Sequence, residues 1–327
     1  MRDKSSATDP LSIALPGLHG ALITTRVRDL RQQTSVARAA SASGLGLAAL
    51  GVLAFSFSFP ATVLALDGLD PYLIGIGRAA AATVLAAIAL VVARAPLPGR
   101  HRLPGLAAAG VGVVFGFPVL STLALHAGAS SSHGAVVIGV LPAATAVLAV
   151  LRAGERPSLG FWAACLAGAA WVSGFALIRG SGRFSAADLL LFGALLAGAL
   201  GYAEGGRLSR DLPGWQVISW ALVLTGPISL PVTAALISTT HPHWTGRALL
   251  GFGYVSAVSM FVGFFAWYAG LGRAGIARAS QLQLAQPLLT LAWSALLLGE
   301  HLDWGTGAAA LGVLVCVAWT QRTRGSR

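Results

Sequence analysis

Long apolar runs separated by short polar segments make up most of this chain. From residue 44 onward the apolar residues follow one another without the alternation that a membrane β-barrel requires. Most runs are close to the roughly 20 residues that an α-helix needs to cross about 30 Å of hydrocarbon. The pattern therefore predicts an all-α integral membrane protein with ten transmembrane helices, at residues 44–66, 71–93, 103–125, 132–151, 159–178, 186–206, 215–237, 247–271, 277–298 and 303–321.

The composition agrees with lipid as the solvent. Of the 327 residues, 56% are hydrophobic and 10% are charged, whereas a soluble domain carries roughly 25% charged residues. Cys165 and Cys316 lie inside apolar runs, where a thiol acts as a small hydrophobic group, so we expect neither a disulfide framework nor a zinc site. The net charge of +11 comes from basic residues that lie between apolar runs, not in a patch with stacking aromatics, and nucleic-acid binding is not expected.

The positions of the 22 lysine and arginine residues predict the orientation of the chain. With the N-terminus in the cytoplasm, 18 of them fall in the N-terminal tail, the cytoplasmic loops and the C-terminus, three fall on the other side, and Arg78 lies inside the second helix. Cytoplasmic loops are known for such an excess of basic residues. The bias predicts a multi-pass protein of the cell membrane with both termini in the cytoplasm, where residues 1–43 form a flexible basic tail and residues 322–327 a short basic C-terminus.

An internal repeat relates the two halves of the apolar region. The segments GVLPAATAVLAVLRAGERPSLG (139–160) and LAQPLLTLAWSALLLGEHLDWG (284–305) align at a constant offset of 145 residues. Each segment has a proline in mid-helix, Pro142 in the first and Pro287 in the second, and each helix ends in a Gly-Glu pair. A shared proline and a shared helix ending are harder to obtain by chance than a shared run of alanine and leucine, so we interpret the two halves as repeats.

The offset places five helices in each repeat. Because five is an odd number, the second repeat, residues 181–321, is expected to lie inverted in the membrane relative to the first, residues 44–180. Inverted repeats are common in secondary transporters, whose substrate site lies near the midplane between the halves. The glutamates of the two Gly-Glu pairs, Glu155 and Glu300, lie at helix ends, and we expect both to be structural joints.

These features resemble the drug/metabolite transporter superfamily, and specifically its EamA branch. The resemblance rests on the two proline-containing helices that end in Gly-Glu and on DPYLIGIGRAAAATVLAA (70–87), which is similar to the family's second helix with its embedded arginine. It covers about residues 44–321, and it implies ten helices in two inverted EamA repeats that transport small metabolites, often outward. The Trp-Gly that is usual in the family's first helix is replaced here by AFSFSFPATV, which contains Phe55, Phe57 and Phe59.

Two charged residues lie within the predicted depth of the membrane, where charge is costly and therefore informative. Arg78 is a candidate for attracting an anionic substrate; alternatively, it bonds to backbone and hydroxyl groups in the bundle or snorkels outward. Glu204, near the cytoplasmic end of the sixth helix, is a candidate for proton coupling, since desolvation favours a protonated carboxyl. The alternative for Glu204 is an interfacial ion pair with Arg207 or Arg210.

The start of the ninth helix, ARASQLQLAQP, is the best candidate for a binding site. Gln283 and Gln286 would be costly facing lipid, and Pro287 frees the carbonyl of Gln283 because proline lacks an amide hydrogen. A polar, partly opened helix near the midplane is typical of transporter sites, although hydrogen bonding between helices is the alternative. Pro142 is the counterpart of Pro287 in the first repeat. Aromatic residues are further candidates for a cavity lining: Phe57, Tyr202, Tyr254, Phe264 and Trp267.

No catalytic constellation is present in the sequence. It contains no GxxxxGK[S/T] phosphate loop and no HExxH zinc motif, so we expect neither an enzyme nor an ATP-driven pump, and no cofactor. His126 and His133 flank the short loop between helices three and four, and we interpret them as interfacial residues. The expected partners are the lipid bilayer and a small-molecule substrate. The leading hypothesis is a secondary transporter of small organic metabolites that exports them by alternating access; the alternatives are a transporter of anionic, phosphorylated metabolites, an intramembrane enzyme and a non-transporting scaffold.

Overall fold

The computed structural model describes residues 42–153, 158–179, 184–274 and 282–324. The predicted basic tail and Glu155 lie outside the described residues. Within the described residues, eight helices are long and apolar enough to span a membrane and two more are shorter and apolar. In chain order they are α1 (Ala42–Leu66), α2 (Pro71–Val92), α3 (Arg100–His126), α4 (Ser131–Leu148), α5 (Leu159–Ile178), α6 (Ala186–Leu208), α7 (Gly214–Thr240), α8 (Gly246–Ala274), α9 (Ala285–Leu298) and α10 (Trp304–Thr320).

The predicted helical fold is confirmed for the described part of the chain, in which every regular element is a helix. Most helices begin and end within a few residues of the predicted spans. The ninth helix differs most, since its span was predicted from residue 277, whereas α9 begins at Ala285 after a turn at residues 283–284. Residues 275–281 lie outside the described part of the chain.

Polar residues in the loops determine where several helices begin. The side chain of Asp70 accepts hydrogen bonds from two backbone amides at the start of α2, and Pro71 takes the first helical position, where a missing N–H costs nothing. Ser185 and Asp188 form a capping box at the start of α6. These bonds satisfy amides that have no partner inside the helix, and lipid cannot supply one.

The repeat is visible in the backbone as well as in the sequence. In the third helix of each half, α3 and α8, a wide π-helical segment interrupts the α-helix, at Gly110–Gly116 and Tyr254–Val262 respectively. A turn also precedes each of the two prolines, at residues 139–140 in α4 and at residues 283–284 before α9. Wide helical turns are frequent at functional sites, and each of these four irregular segments contributes a residue to the cavity described below.

Contacts between helices come in pairs that match when the two halves are exchanged. α2, α4 and α5 each pack against their own counterparts, α7, α9 and α10. The contact of α3 with α6 is matched by that of α8 with α1, and the contact of α3 with α7 by that of α8 with α2. The contact of α4 with α6 is likewise matched by that of α9 with α1. The two halves therefore pack on each other as related units, with an interface in the middle of the bundle.

Glycines allow the closest helices to approach each other backbone to backbone. A Cβ atom on Gly112 of α3 would lie 2.5 Å from the carbonyl oxygen of Ala197 and 2.6 Å from the amide nitrogen of Gly201, both on α6. At the matching contact of α8 with α1, a Cβ atom on Gly270 would lie 2.6 Å from the amide nitrogen of Ala48. Small residues suit such interfaces, because helices in lipid associate through close packing rather than through the hydrophobic effect.

Replacement of Gly112 by valine is expected to destabilise the protein, because the new side chain would meet backbone atoms that cannot move aside. Overpacking of this kind costs roughly 1–3 kcal/mol, which should appear as a lower melting temperature of the detergent-purified protein. Gly46→Val is the matched control, since a Cβ atom at Gly46 has no heavy atom within 4 Å. Equal melting temperatures for the two variants would contradict the close packing of α3 on α6.

Candidate functional site

A small cavity lies between the two halves of the described bundle. Helices α1–α4 line it from the first half, and α6, α8, α9 and the turn before α9 line it from the second. Its volume is about 40 Å³. The lining is mostly apolar, and its polar side chains are those of Ser58, Arg78, Tyr202, Ser259, Gln283, Gln286 and Thr290.

Arg78 is buried in the wall of this cavity, with 3% of its surface exposed. Its Nη2 donates a hydrogen bond to Ser259 Oγ at 3.1 Å, and Ser259 Oγ lies 2.6 Å from Ser58 Oγ. Its Nε has no hydrogen-bond partner, and none of the carboxylates that the structure describes lies within ion-pair distance. The bond to a hydroxyl is one of the alternatives that the sequence left open. A hydroxyl does not neutralise the charge of the guanidinium, however, and an unneutralised charge is costly to bury in an apolar surrounding.

Two amide side chains before and at the start of α9 also face the cavity with unsatisfied atoms. Gln283 Nε2 and Gln286 Oε1 are buried and have no hydrogen-bond partner. The carbonyl that Pro287 leaves free, that of Gln283, accepts a hydrogen bond from Gln286 N at 3.1 Å, which makes a tight turn in place of the α-helical bond. Pro287 and its counterpart Pro142 both line the cavity. Gln283, Gln286 and Pro287 of the polar segment predicted from the sequence thus lie at the cavity, whereas its residues 277–281, which include Ser280 and Gln281, lie outside the described part of the chain.

Aromatic rings form one wall of the cavity. Phe55, Tyr202 and Phe264 line it, and the ring centroids of Phe55 and Phe264 are 4.8 Å apart. Trp267 lies directly behind them with 1% of its surface exposed, and its ring centroid is 5.7 Å from that of Tyr202. A wall of this kind offers an apolar surface, and its ring faces also attract cations.

Phe57 and Tyr254 pack against each other outside the cavity lining, although the sequence made both candidates for it. Their ring centroids are 4.7 Å apart in an edge-to-face arrangement, and Tyr254 Oη donates to a backbone carbonyl of α1 at 3.0 Å. Successive residues of a helix point about 100° apart, so Phe55 and Phe59 share the face that lines the cavity while Phe57 points to the opposite side. In this structure, Phe57 and Tyr254 therefore pack α1 against α8.

The sequence did not predict a polar link between α1 and α9. Pro60 has no amide hydrogen to offer the carbonyl of Ser56 four residues earlier, and Thr290 Oγ1 donates to that carbonyl at 2.7 Å. Trp293 Nε1 donates to Ser56 Oγ at 3.0 Å. The signal was present in AFSFSFP, where Ser56 and Ser58 would be costly if they faced lipid.

Glu204 is buried, but it is not among the residues that line the cavity. Arg207 Nε and Nη2 both donate to Glu204 Oε2 at 3.1 Å, which is the ion pair that the sequence offered as an alternative to proton coupling. The sequence did not predict that Asp188, at the other end of α6, is equally buried. Asp188 Oδ1 lies 2.7 Å from Nε2 of His133, which had been interpreted as an ordinary interfacial residue.

Known proteins resemble this chain along most of its length. A family model described as the EamA-like transporter family matches it twice, at residues 42–178 and 185–321. An uncharacterized transporter of Bacillus subtilis, YdeK, is 45% identical over 276 residues, which cover 84% of this chain and 95% of that protein. A protein of Streptantibioticus cattleyicolor described as a "probable terminal-alkyne amino-acid exporter" is 26% identical over 290 residues, which cover 85% of this chain and 93% of that protein.

A solved crystal structure shares the fold. It superposes with a TM-score of 0.60 and covers 85% of this chain and 96% of its own chain, at 17% sequence identity. The two family matches fall on the two halves of the chain. The same halves are related by the constant offset in the sequence, by the paired π-helical segments and by the matched helix contacts. The chain therefore belongs to the EamA-like transporter family and is a multi-pass membrane transporter.

Proposed function

We propose that this protein is a secondary transporter that exports a small carboxylate-bearing metabolite by alternating access. In this proposal the ten apolar helices are ten transmembrane segments, in two five-helix repeats that lie inverted relative to each other. The matched helix contacts support the inversion, because a five-helix unit that is repeated once must reverse its direction in the membrane. The basic residues support a cytoplasmic location for both termini.

Substrate would bind in the cavity between the halves. The present volume of about 40 Å³ is small for a metabolite, and in this proposal the conformation is a closed state. Substrate entry and release would each require the halves to separate on one side, which is the motion that alternating access describes.

The observation that carries the proposal is the charge of Arg78, which no carboxylate in the described part of the chain neutralises. A substrate carboxylate would accept a hydrogen bond from the unpartnered Nε and would supply the missing counter-charge. Gln283 Nε2 is a further donor, and Gln286 Oε1 is an acceptor that suits an ammonium group. The aromatic wall of the cavity suits an ammonium group as well. This set of groups suits an α-amino acid, and the description of the Streptantibioticus relative as an amino-acid exporter supports the same substrate class.

Two alternatives are less well supported. A phosphorylated metabolite carries about two negative charges at its phosphate, but Arg78 is the sole charged side chain among the described residues that line the cavity. A non-transporting scaffold would keep three buried polar atoms, Arg78 Nε, Gln283 Nε2 and Gln286 Oε1, without partners, and each such atom costs free energy that an apolar side chain would not.

Metabolite profiling of whole cells is expected to show a compound that the native protein moves from the cytoplasm to the medium. The Gln283→Ala/Gln286→Ala variant, expressed at an equal level in the membrane, should lose this redistribution because it removes two polar groups of the cavity. The compound that changes identifies both substrate and direction. A variant that redistributes the same compound as well as the native protein would exclude the two glutamines from the site.

Arg78→Gln is expected to reduce the export of a carboxylate-bearing substrate by roughly tenfold or more, because a charged hydrogen bond to the substrate is lost. The initial rate of export from preloaded cells measures this effect. Arg247→Gln is the matched control, since Arg247 is exposed and pairs with Asp67 at 3.0 Å away from the cavity. A native export rate in Arg78→Gln would exclude the arginine as the carboxylate-binding group.

Glu204→Gln is expected to lower the melting temperature and to leave the pH dependence of export unchanged. The structural reason is the ion pair with Arg207, whose side chain is 56% exposed, so the expected loss is on the order of 1 kcal/mol. Export rates of the native protein and the variant, measured in membrane vesicles over a range of pH, provide the test. A pH dependence that disappears in Glu204→Gln would instead assign proton coupling to this carboxyl group.

A further inference from the structure

Hydrogen bonds tie α4 to the loop after α9 at one end of the bundle. The amides of Ser131 and Ser132, at the start of α4, donate to the two carboxylate oxygens of Glu300 at 2.9 Å each. Glu300 follows Gly299, whose φ of +67° is the left-handed turn that ends α9 and directs the chain towards α4. A carboxylate is favoured at a helix N-terminus by the unpaired amides and the helix dipole. The Gly-Glu pair at the end of α9 is therefore a device that caps a helix of the other repeat.

A second bond ties α4 to α6 at the same end. His133 Nε2 donates to Asp188 Oδ1 at 2.7 Å, and the exposed fractions of the two side chains are 14% and 3%. The other carboxylate oxygen of Asp188 accepts hydrogen bonds from the amide and the hydroxyl of Ser185, which hold it in place. The ring of His133 stacks on Phe175 of α5 with centroids 5.1 Å apart. We call the Glu300 and His133–Asp188 contacts the outer clamp, because the charge pattern of the sequence predicts that this end faces away from the cytoplasm.

The outer clamp joins the two repeats rather than parts of one. α4 belongs to the first family match, whereas α6 and the loop after α9 belong to the second. The same three helices wall the cavity, since Ala135 and Ile138 of α4, Tyr202 of α6 and Thr290 of α9 all line it. Separation of the halves at this end would therefore open the cavity, and it would have to break the outer clamp.

A larger polar space lies against the outer clamp. Its volume is about 420 Å³, and His133, Asp188 and Glu300 line it together with His301. Ser132 also lines it, and Ser132 Oγ is buried without a hydrogen-bond partner. Residues of the outer clamp thus line this larger polar space, and the helices that the outer clamp joins line the small central cavity.

We propose that the outer clamp is the outer gate of the transport pathway. Its charge-assisted bonds hold α4 against α6 and α9 in the closed state, and they break when the repeats separate to release the substrate into the polar space. This inference rests on the proposed alternating-access function. In this reading Glu300, Asp188 and His133 are positioning residues, which set how often the cavity opens outward without touching the substrate in the closed state.

The test is the accessibility of the cavity from outside the cell. A cysteine is introduced as Ala135→Cys in a background that carries Cys165→Ala and Cys316→Ala, and whole cells are treated with a membrane-impermeant maleimide. We expect slow labelling while the outer clamp is intact. Each of His133→Phe, which keeps a ring against Phe175, and Glu300→Gln should raise the labelling rate on the order of tenfold, because each removes a charge-assisted bond.

Asp67→Asn in the same background is the matched control. It disrupts the exposed ion pair with Arg247, which the predicted topology places on the same side of the membrane but outside the outer clamp, so labelling should stay slow. Rapid labelling with the outer clamp intact, or no faster labelling in either variant, would overturn the gate. If His133→Phe does not reach the membrane, Glu300→Gln decides alone, since glutamine has nearly the same shape as glutamate.

Failure of the gate and failure of the proposed function are separable. Unchanged labelling together with substrate export that depends on Gln283 and Gln286 would reject the outer clamp as a gate and leave the transport proposal standing. Faster labelling in the clamp variants without any exported compound would mean that the outer end opens but that the protein does not export by this route, and the gate proposal, which depends on transport, would fall with it.

Discussion

Hydrocarbon offers no hydrogen-bond partner, and most of this structure follows from that constraint. Every regular element in the described residues is a helix, because a helix satisfies its backbone internally. At Pro60 a neighbouring helix replaces the bond that the proline cannot make, because Thr290 donates to the carbonyl that Pro60 leaves free. At the starts of α2 and α4, carboxylates accept hydrogen bonds from the first amides, from Asp70 in the first case and from Glu300 of the loop after α9 in the second.

The same constraint makes unsatisfied groups informative. Several hydroxyls, the ring nitrogens of Trp220 and Trp267 and Arg102 Nε are also buried without partners, but Arg78 Nε, Gln283 Nε2 and Gln286 Oε1 belong to side chains that line one cavity, where unpaired polar atoms are costly. The other buried charges behave differently. Glu204 is paired with Arg207, and Asp188 is paired with His133 and held by Ser185. The paired groups stabilise the fold, and the unpartnered atoms at the cavity are the ones that the proposed function assigns to a substrate.

In the proposed mechanism, the two related halves that meet at the cavity are the parts that move. Close packing at glycines holds α3 on α6 and α8 on α1, so each of these pairs crosses the boundary between the repeats with little room for side-chain adjustment. The irregular segments of α3, α4 and α8 and the turn before α9 each contribute a residue to the cavity, and the segment in α3 also contains Gly112. Wide helical turns of this kind are frequent at functional sites, and in the proposed rocking motion they lie where the two halves move against each other.

The sequence by itself determined the helical membrane fold and the repeat, and it made Arg78 and the segment around Gln283 candidates for a site, because hydropathy, proline and buried charge act locally and leave a pattern in the chain. It did not determine which face of α1 meets the cavity. Phe57 was therefore predicted to line the cavity, whereas Phe55 and Phe59 are the residues that line it. It also missed the bond between His133 and Asp188, which are 55 residues apart in sequence. Tertiary structure decided these points, because only the packing of helices fixes the rotation of each one about its axis and brings distant polar groups within bonding distance.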